Sequence, residues 1–269
     1  MNRRLLVTVL LAACGGTVTP TRTPSPPAMS PAELSALHDE VRVAGLEERR
    51  FGYDQYWQAV SSHLGGPVSV SVAGHSGEGR EIRRLTFGSG PTTVLLWSQM
   101  HGNESTASMS LADIIRFFST EADHPLARRI AQGATVHMVP MLNPDGAERF
   151  QRRNAQGIDV NRDARRHQTP EGKTLKGLSD RLEPDFGFNL HDQNIGTRVG
   201  GTGRGVAIAL LAPAFDESRS VNPLRERAMR VASVIVGAID PLVGGRVARY
   251  DDTFNPRAFG DLMAAWGDA

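Results

Sequence analysis

The chain has 269 residues, of which 40% are hydrophobic and 22% are charged, and these proportions exclude wholesale disorder. A mean hydropathy of −0.28, with no apolar run near the roughly 20 residues of a spanning helix, excludes a membrane bundle. Thirty basic residues against twenty-nine acidic ones give a net charge of +1, so we expect no nucleic-acid partner held by bulk charge. A single cysteine excludes an internal disulfide framework and a cysteine-rich zinc site.

The N-terminus has the pattern of an export signal. Arg3 and Arg4 precede a short apolar segment, Leu5 to Leu11, and small residues then lead directly to Cys14. This pattern resembles the bacterial lipoprotein signal, in which the cysteine is lipidated and becomes the new N-terminus. An incidental or buried cysteine is the alternative. We expect residues 1–13 to be removed and Cys14 to carry a lipid that anchors the exported protein to the membrane of the bacterial cell envelope.

A segment rich in proline, threonine and serine follows the cysteine. Residues 14–31 have little apolar content to bury, which is typical of a tether. We expect this tether to lift one folded domain, residues 32–269, off the membrane surface.

Within residues 32–269, the hydrophobic pattern predicts helices that alternate with strands. Helices are predicted over residues 33–49, 53–64, 105–118, 126–132 and 223–239, with a further helix near the C-terminus. Strands are predicted over residues 68–72, 82–87, 94–98, 135–142, 186–190 and 206–211. The first two strands flank a glycine-rich turn, Gly74 to Gly79, and so predict a hairpin. This order predicts an α/β fold with a mixed, mostly parallel sheet that carries helices on both faces.

Candidate metal ligands lie in loops that follow two of these strands. His101 and Glu104 come after the strand over 94–98, and His191 comes directly after the strand over 186–190. Open α/β sheets bind ligands at the carboxyl ends of their strands, which is where these residues are expected. Imidazole nitrogens and carboxylate oxygens bind zinc at about 2 Å, with one position left open for water.

A second pair has the same spacing as the first two candidates. His75 and Glu78 are also three residues apart, but they lie in the predicted hairpin turn. We interpret this pair as a solvated turn and not as a metal site.

A polar segment lies between the two ligand loops. It contains Asn143-Pro144-Asp145-Gly146, Arg152-Arg153-Asn154 and a run from Gly157 to Asp163. A charged, solvated loop is one interpretation. The alternative is a pocket for a carboxylate, because the planar guanidinium group of arginine pairs bidentately with such an anion.

In this order, the motifs HGNE, NPDG, RRN, GIDVNRD and NLHD resemble those of the zinc carboxypeptidases of the carboxypeptidase A type. The resemblance covers roughly Tyr53 to the C-terminus. It implies one zinc ion per chain, held by His101, Glu104 and His191, and a peptide substrate with a free C-terminal carboxylate. A zinc-bound water with a pKa near 7 is chemically suited to attack on an amide.

The resemblance also implies roles for the polar segment. Arg152 would polarise the scissile carbonyl and stabilise the oxyanion, although its neighbour Arg153 stays open as an alternative. Asn161 and Arg162 would bind the terminal carboxylate of the substrate.

One feature of the family has no counterpart in the sequence. The family uses a glutamate as general base on a strand late in the domain, whereas the glutamates after His191 are Glu217, in a polar loop, and Glu226, in the helix from residue 223. We expect the chain to lack this base and its strand, and thus to be incomplete at its C-terminus. The substrate-capping tyrosine of the family is not identified in the sequence, because the context of Tyr250, the late tyrosine of the chain, gives no alignment with the family motif.

Two other functions stay open at this point. A zinc amidohydrolase of the aspartoacylase or succinylglutamate desuccinylase type shares an HGNE-like motif and an Asn-Arg pair, but the NPDG segment and the lipoprotein signal favour the peptidase. The missing base motivates the second alternative, a non-catalytic surface protein that binds ligands on a peptidase scaffold.

Overall fold

The computed structural model describes residues 29–266. The predicted signal peptide, Cys14 and most of the predicted tether lie outside this range. The last tether residue, Pro31, begins the first helix. Between residues 29 and 266, every helix is too short or too polar to cross a membrane.

The elements alternate along the chain as the sequence predicts. The α-helices are α1 (Pro31–Val41), α2 (Tyr53–Val60), α3 (Thr106–Thr120), α4 (Pro125–Gly133), α5 (Pro144–Glu148), α6 (Pro170–Leu182), α7 (Pro223–Val243) and α8 (Phe259–Trp266). The strands are β1 (Val68–His75), β2 (Glu81–Phe87), β3 (Thr92–Trp97), β4 (Ala134–Val139), β5 (Phe186–Asn189), β6 (Ile208–Leu210) and β7 (Val247–Arg249). Short 3-10 helices cover Ser61–His63 and Val160–Arg162.

Five strands form a mixed sheet in the order β1-β2-β4-β3-β5. β1 and β2 form the predicted antiparallel hairpin, β2 is antiparallel to β4, and β3 runs parallel to both β4 and β5. β6 and β7 pair separately as a small parallel sheet. The carboxyl ends of β3, β4 and β5 therefore meet at one edge of the main sheet.

Helices pack on both faces of this sheet, because successive strand residues point to opposite faces. On one face, α2, α3 and α4 cover a core that includes the strand residues Leu85, Phe87 and Met138. On the other face, α6 and α8 cover a core that includes Leu95 and Trp97. The predicted α/β architecture is confirmed.

Three local predictions differ from the structure. The first helix ends at Val41 and not at residue 49, because Arg42 adopts an extended conformation and Gly45 a left-handed one with φ +88°. β1 continues to His75, so Gly74 lies in the strand, at the irregular step of the β1–β2 register. α5, α6 and β7 are not predicted from the hydrophobic pattern.

Candidate metal centre

Three potential metal ligands converge at the edge where β3 and β5 end. His101 and Glu104 lie in the loop between β3 and α3, and His191 lies just beyond β5. Nδ1 of His101 lies 2.8 Å from Glu104 Oε1, and Nδ1 of His191 lies 2.7 Å from Oε2 of the same carboxylate. Their ligand atoms all lie within 4.8 Å of one another, and among residues 29–266 these three form the group of His, Cys, Asp or Glu side chains that could hold a metal ion. The three residues predicted as zinc ligands are therefore adjacent in space.

The chemistry of this trio fits zinc. Two imidazoles and one carboxylate are a donor set found in catalytic zinc sites, where the fourth position is left for water or substrate. His101 is buried, whereas Glu104 and His191 are partly exposed, so the trio opens to solvent on one side.

Close backbone packing shapes the loop that carries the first two ligands. A Cβ at Gly102 would meet the carbonyl carbon of Gly146 at 1.9 Å, so only glycine fits where this loop crosses α5. The Asn143 side chain donates to the Met100 carbonyl at 3.2 Å and accepts from the Gly146 amide at 2.9 Å. The NPDG segment therefore supports the ligand loop through α5.

Asp159 lies behind the first ligand. Its Oδ1 is 3.0 Å from Nε2 of His101. Donation from Nε2–H to this carboxylate selects the tautomer whose Nδ1 is free to bind a metal ion. Asp159 lies inside the GIDVNRD motif, but its contact with His101 is not predictable from the motif because the two residues are 58 positions apart.

The two carboxylates of the site are held in their ionised forms. Burial raises the pKa of Glu104, but hydrogen bonds with His101 and His191 outweigh it and hold the pKa well below its ordinary value. Burial also raises the pKa of Asp159, and the hydrogen bond with His101 together with the charge of Arg152 again brings it well below the ordinary range. Metal binding requires deprotonated ligands, and this arrangement provides them.

Arg152 borders the ligands, whereas Arg153 points elsewhere. Nη1 of Arg152 lies 3.1 Å from Glu104 Oε1, and its Nη2 lies 3.0 Å from Asp159 Oδ2. Nη1 of Arg153 donates to the Gly157 carbonyl at 2.8 Å within its own loop. Of the two arginines left open by the sequence, Arg152 is the one at the site.

The predicted carboxylate-binding residues lie next to the third ligand. Nδ2 of Asn161 is 3.3 Å from Nε2 of His191, and its Oδ1 accepts from the Phe259 amide at 3.1 Å. Arg162 is exposed, and its Nη1 donates to the Asn161 carbonyl at 2.7 Å. This 3-10 turn brings one amide and one guanidinium group to the edge of the site.

A groove of about 2280 Å³ extends from the ligands along β5 and α7. All six predicted site residues of the described range line it, namely His101, Glu104, Arg152, Asn161, Arg162 and His191. Tyr250 also lines the groove and is half exposed.

The later glutamates lie away from the groove. Glu217 is exposed in a turn, and Glu226 pairs with Arg230 at 2.6 Å on the surface of α7. Within residues 29–266, the glutamates that line the groove are Glu104 and Glu183. Glu183 precedes β5, at the end of that strand opposite the ligands.

The second His-Glu pair lies where β1 meets the β1–β2 turn, because His75 is the last residue of β1 and Glu78 lies in the turn. His75 is exposed, and Glu78 pairs with Arg80 at 2.7 Å and with Arg149. Beneath the turn, the buried Asp145 accepts from the Glu78 amide at 3.0 Å and pairs with Arg80 at 2.7 Å. The interpretation of this pair as a solvated turn agrees with these contacts.

Comparison with known proteins places the fold among the zinc peptidases. Residues 53–188 match the Peptidase_M14 family, zinc carboxypeptidase. An uncharacterized protein of Zymomonas mobilis is 29% identical over 128 residues, which are 46% of this chain and 33% of that protein. Carboxypeptidase 2 of Trichophyton rubrum is 26% identical over 163 residues, 61% of this chain and 26% of that protein. The chain thus spans about a third or less of these curated relatives.

A solved structure shares the fold over most of the chain. The metallo-carboxypeptidase from Pseudomonas aeruginosa, in complex with (2-guanidinoethylmercapto)succinic acid, has a TM-score of 0.63 at 19% identity. The similarity covers 82% of this chain and 58% of that one.

Proposed function

The chain belongs to the zinc carboxypeptidase family, and from this premise we propose that it binds zinc and acts on the C-terminal peptide bond of peptides with a free carboxylate. One zinc ion is held by His101, Glu104 and His191. The observation that carries the proposal is the convergence of these three groups, with Arg152 beside them, in the lining of one groove.

Zinc at these ligands would supply a water with a pKa near 7 and an electrophile for the scissile carbonyl. Arg152 is placed to stabilise the negative charge that develops on the carbonyl oxygen. Its guanidinium group is held by Glu104 and Asp159, while 44% of the side chain is exposed and so can reach a substrate. Preorganised donors of this kind are typically worth about 10²–10³ in kcat.

The free carboxylate of the substrate is bound by the 3-10 turn. Arg162 offers a planar guanidinium group that is exposed in the groove, and such a group binds carboxylates bidentately. Asn161 lies between Arg162 and His191, so it sets the distance from the bound carboxylate to the metal ligands.

We further propose that the domain formed by residues 29–266 hydrolyses peptides slowly. Amide hydrolysis needs a group that takes a proton from water and returns it to the leaving amine, which typically contributes about 10²–10⁴-fold. The family uses a glutamate for this step, and the glutamates of residues 29–266 that line the groove are Glu104, which is proposed to bind zinc, and Glu183, which lies at the far end of β5. The positions of these two glutamates also favour a second candidate function, that of a protein that binds zinc and the C-terminal ends of peptides without cleaving them.

Metal analysis and a peptide assay test these proposals. The wild type and His75→Ala should hold one zinc per chain, and His191→Ala should lose it; zinc retained in His191→Ala would refute the ligand assignment. On peptides with a free C-terminus, Arg152→Ala should turn over more slowly than the wild type. The neighbouring variant Arg153→Ala should match the wild type. Turnover of C-terminally amidated peptides at the same rate would refute the carboxylate-binding role of Arg162.

We propose that the protein is exported and lipid-anchored through Cys14 after removal of residues 1–13. Two or three acyl chains give stable anchoring, whereas a single chain is marginal. A fatty-acid analogue should label the wild type and should not label Cys14→Ser. Labelling of that variant, or a wild type that is free in the medium, would contradict the proposal.

A further inference from the structure

The two loops that carry the candidate ligands must be held at a fixed spacing if three side chains are to bind one ion. β5 ends at Asn189, and the Leu190 amide donates to the Trp97 carbonyl at 2.9 Å, which closes the pairing of β5 with β3. His191 lies beyond this pairing. Its position relative to Glu104 therefore depends on side-chain contacts between the loops.

Asp192, the residue after the third ligand, makes these contacts. Its Oδ1 accepts from the Thr106 amide at 3.2 Å, and its Oδ2 accepts from the Thr106 hydroxyl at 3.0 Å. Thr106 is the first residue of α3, directly after the loop of Glu104. The first amides of a helix lack partners within the helix, and a carboxylate at this end also interacts favourably with the helix dipole. Asp192 thus caps α3 from the opposite loop.

The usual capping position of α3 is occupied by a residue that bonds elsewhere. Ser105 precedes the helix, and its hydroxyl donates to the Arg49 carbonyl instead of capping α3. The cap that a serine at this position ordinarily provides comes here from Asp192.

Arg49, in the segment between α1 and α2, contacts both the loop of Glu104 and the loop of His191. One nitrogen of its guanidinium group, Nη2, lies 2.5 Å from Asp192 Oδ2 and 3.3 Å from the Asn103 carbonyl. The Asp192 side chain is 8% exposed, so this ion pair is shielded from water on the aspartate side. The Arg49 side chain is 57% exposed, so loss of Asp192 would leave its guanidinium group in water and not as an unpaired buried charge.

We propose that Asp192 is a positioning residue for the metal site, one that sets the distance between His191 and Glu104 by fastening the His191 loop to α3. The inference rests on the metal site of the proposed function. The Asp192 carboxylate is directed at Thr106 and Arg49, so it acts through its neighbour in the chain and not as a ligand. The amide of Asp192, 3.4 Å from Oε2 of Glu104, keeps the backbone of this loop against the ligand carboxylate.

A purely structural role predicts a different outcome. In that case, loss of Asp192 would lower the thermal midpoint of the protein without changing the zinc affinity of the folded fraction. A positioning role predicts weaker zinc binding at temperatures where the variants are fully folded. Outer-shell residues that orient ligands typically contribute about 10–100-fold to metal affinity.

The test compares zinc affinity, measured by competition with a chromogenic chelator, in the full chain and its variants. Asp192→Ala should bind zinc about 10–100-fold more weakly than the wild type. Asp192→Asn keeps an acceptor for the Thr106 amide but loses the charge that Arg49 needs, so its affinity should lie between the two. Asp185→Ala is the matched control, because Asp185 also accepts a backbone amide, that of Thr93 at 2.9 Å, but at the opposite end of β3.

A second readout is the geometry of the bound metal ion. The absorption spectrum of bound Co²⁺ should shift in Asp192→Ala and stay unchanged in Asp185→Ala, because the spectrum reports ligand geometry and not stability. If Asp192→Ala does not fold, Asp192→Asn carries the comparison. Wild-type zinc affinity and an unaltered Co²⁺ spectrum in folded Asp192 variants would overturn the inference. A wild type that binds zinc but cleaves no peptide would refute only the proposed activity, and a wild type that binds no zinc would refute the metal site itself.

Discussion

Replacement of Asp159 by asparagine removes one negative charge behind the first ligand and changes little else. The wild-type carboxylate lies 3.0 Å from Nε2 of His101 and 3.0 Å from Nη2 of Arg152. The asparagine oxygen can still accept from His101, but it is neutral. The imidazole keeps an acceptor but loses the negative charge that makes its Nδ1 more basic.

The size of the effect follows from the strength of that contact. A hydrogen bond to a charged group contributes about 1.5–3 kcal/mol, and a bond between neutral groups is roughly half as strong. The substitution should therefore weaken zinc binding by about 0.8–1.5 kcal/mol, or about 4–13-fold. Asp159→Ala also leaves the Nε2–H group without an acceptor, so its loss should approach the upper end of the about 10–100-fold range for such residues.

Chelator competition at fixed pH and salt measures the change. The control is Asp113→Asn, because Asp113 accepts from the Val43 amide at 2.8 Å, lies 3.6 Å from Nε2 of His38 and does not line the groove. This control should bind zinc as the wild type does. Equal zinc affinity in Asp159→Asn and the wild type would refute the reasoning that Asp159 orients His101.

Two further substitutions probe the support of the site and the pH dependence of the fold. Gly102→Ala should destabilise the protein by about 1–3 kcal/mol or more in a chemical denaturation experiment, because its Cβ would collide with Gly146, whereas Gly133→Ala, which meets no atom within 4 Å, should not destabilise it. Burial raises the pKa of Glu171, although Asn154 donates to it at 2.9 Å. The unfolded chain therefore releases this proton at lower pH than the native protein, and the contribution of Glu171 to stability falls as pH rises from its unfolded pKa, about 4.3, through its raised native pKa. Glu171→Gln should reduce this fall in the free energy of unfolding, and an unchanged pH profile would contradict the assignment.

The sheet and the ligands are predictable from the sequence because both depend on local pattern. Apolar runs such as 94–98 and 186–190 identify the parallel strands, and polar residues just after them identify the site, since parallel strands end at one edge. His101 and Glu104 are only three residues apart, which made them visible as a pair.

The missed elements are those whose stability comes from the tertiary structure. α6 is polar apart from a narrow stripe, and it is fixed by Leu175 and Leu178, which are buried against the sheet. β7 has three residues and is defined by its pairing with β6. Hydrophobic periodicity carries little signal for either element.

The contacts that hold the site together are invisible in the sequence for a different reason. Arg49 and Asp192 are 143 positions apart, and Asp159 and His101 are 58 positions apart. Only the folded chain brings them into contact. Arg152 and Arg153 are adjacent in a loop, and Arg152 is the one that faces the ligands. A loop has no periodic pattern from which this choice could be predicted.

Anomalous diffraction at the zinc edge, from crystals of the zinc-loaded chain, would locate the metal ion directly. We predict a single strong peak at about 2.0–2.2 Å from His101, Glu104 and His191, with Asp159 behind the first of them. A peak beside the exposed His75 and Glu78 in place of this one, or the absence of any peak in folded, zinc-treated protein, would contradict the assignment of the metal centre.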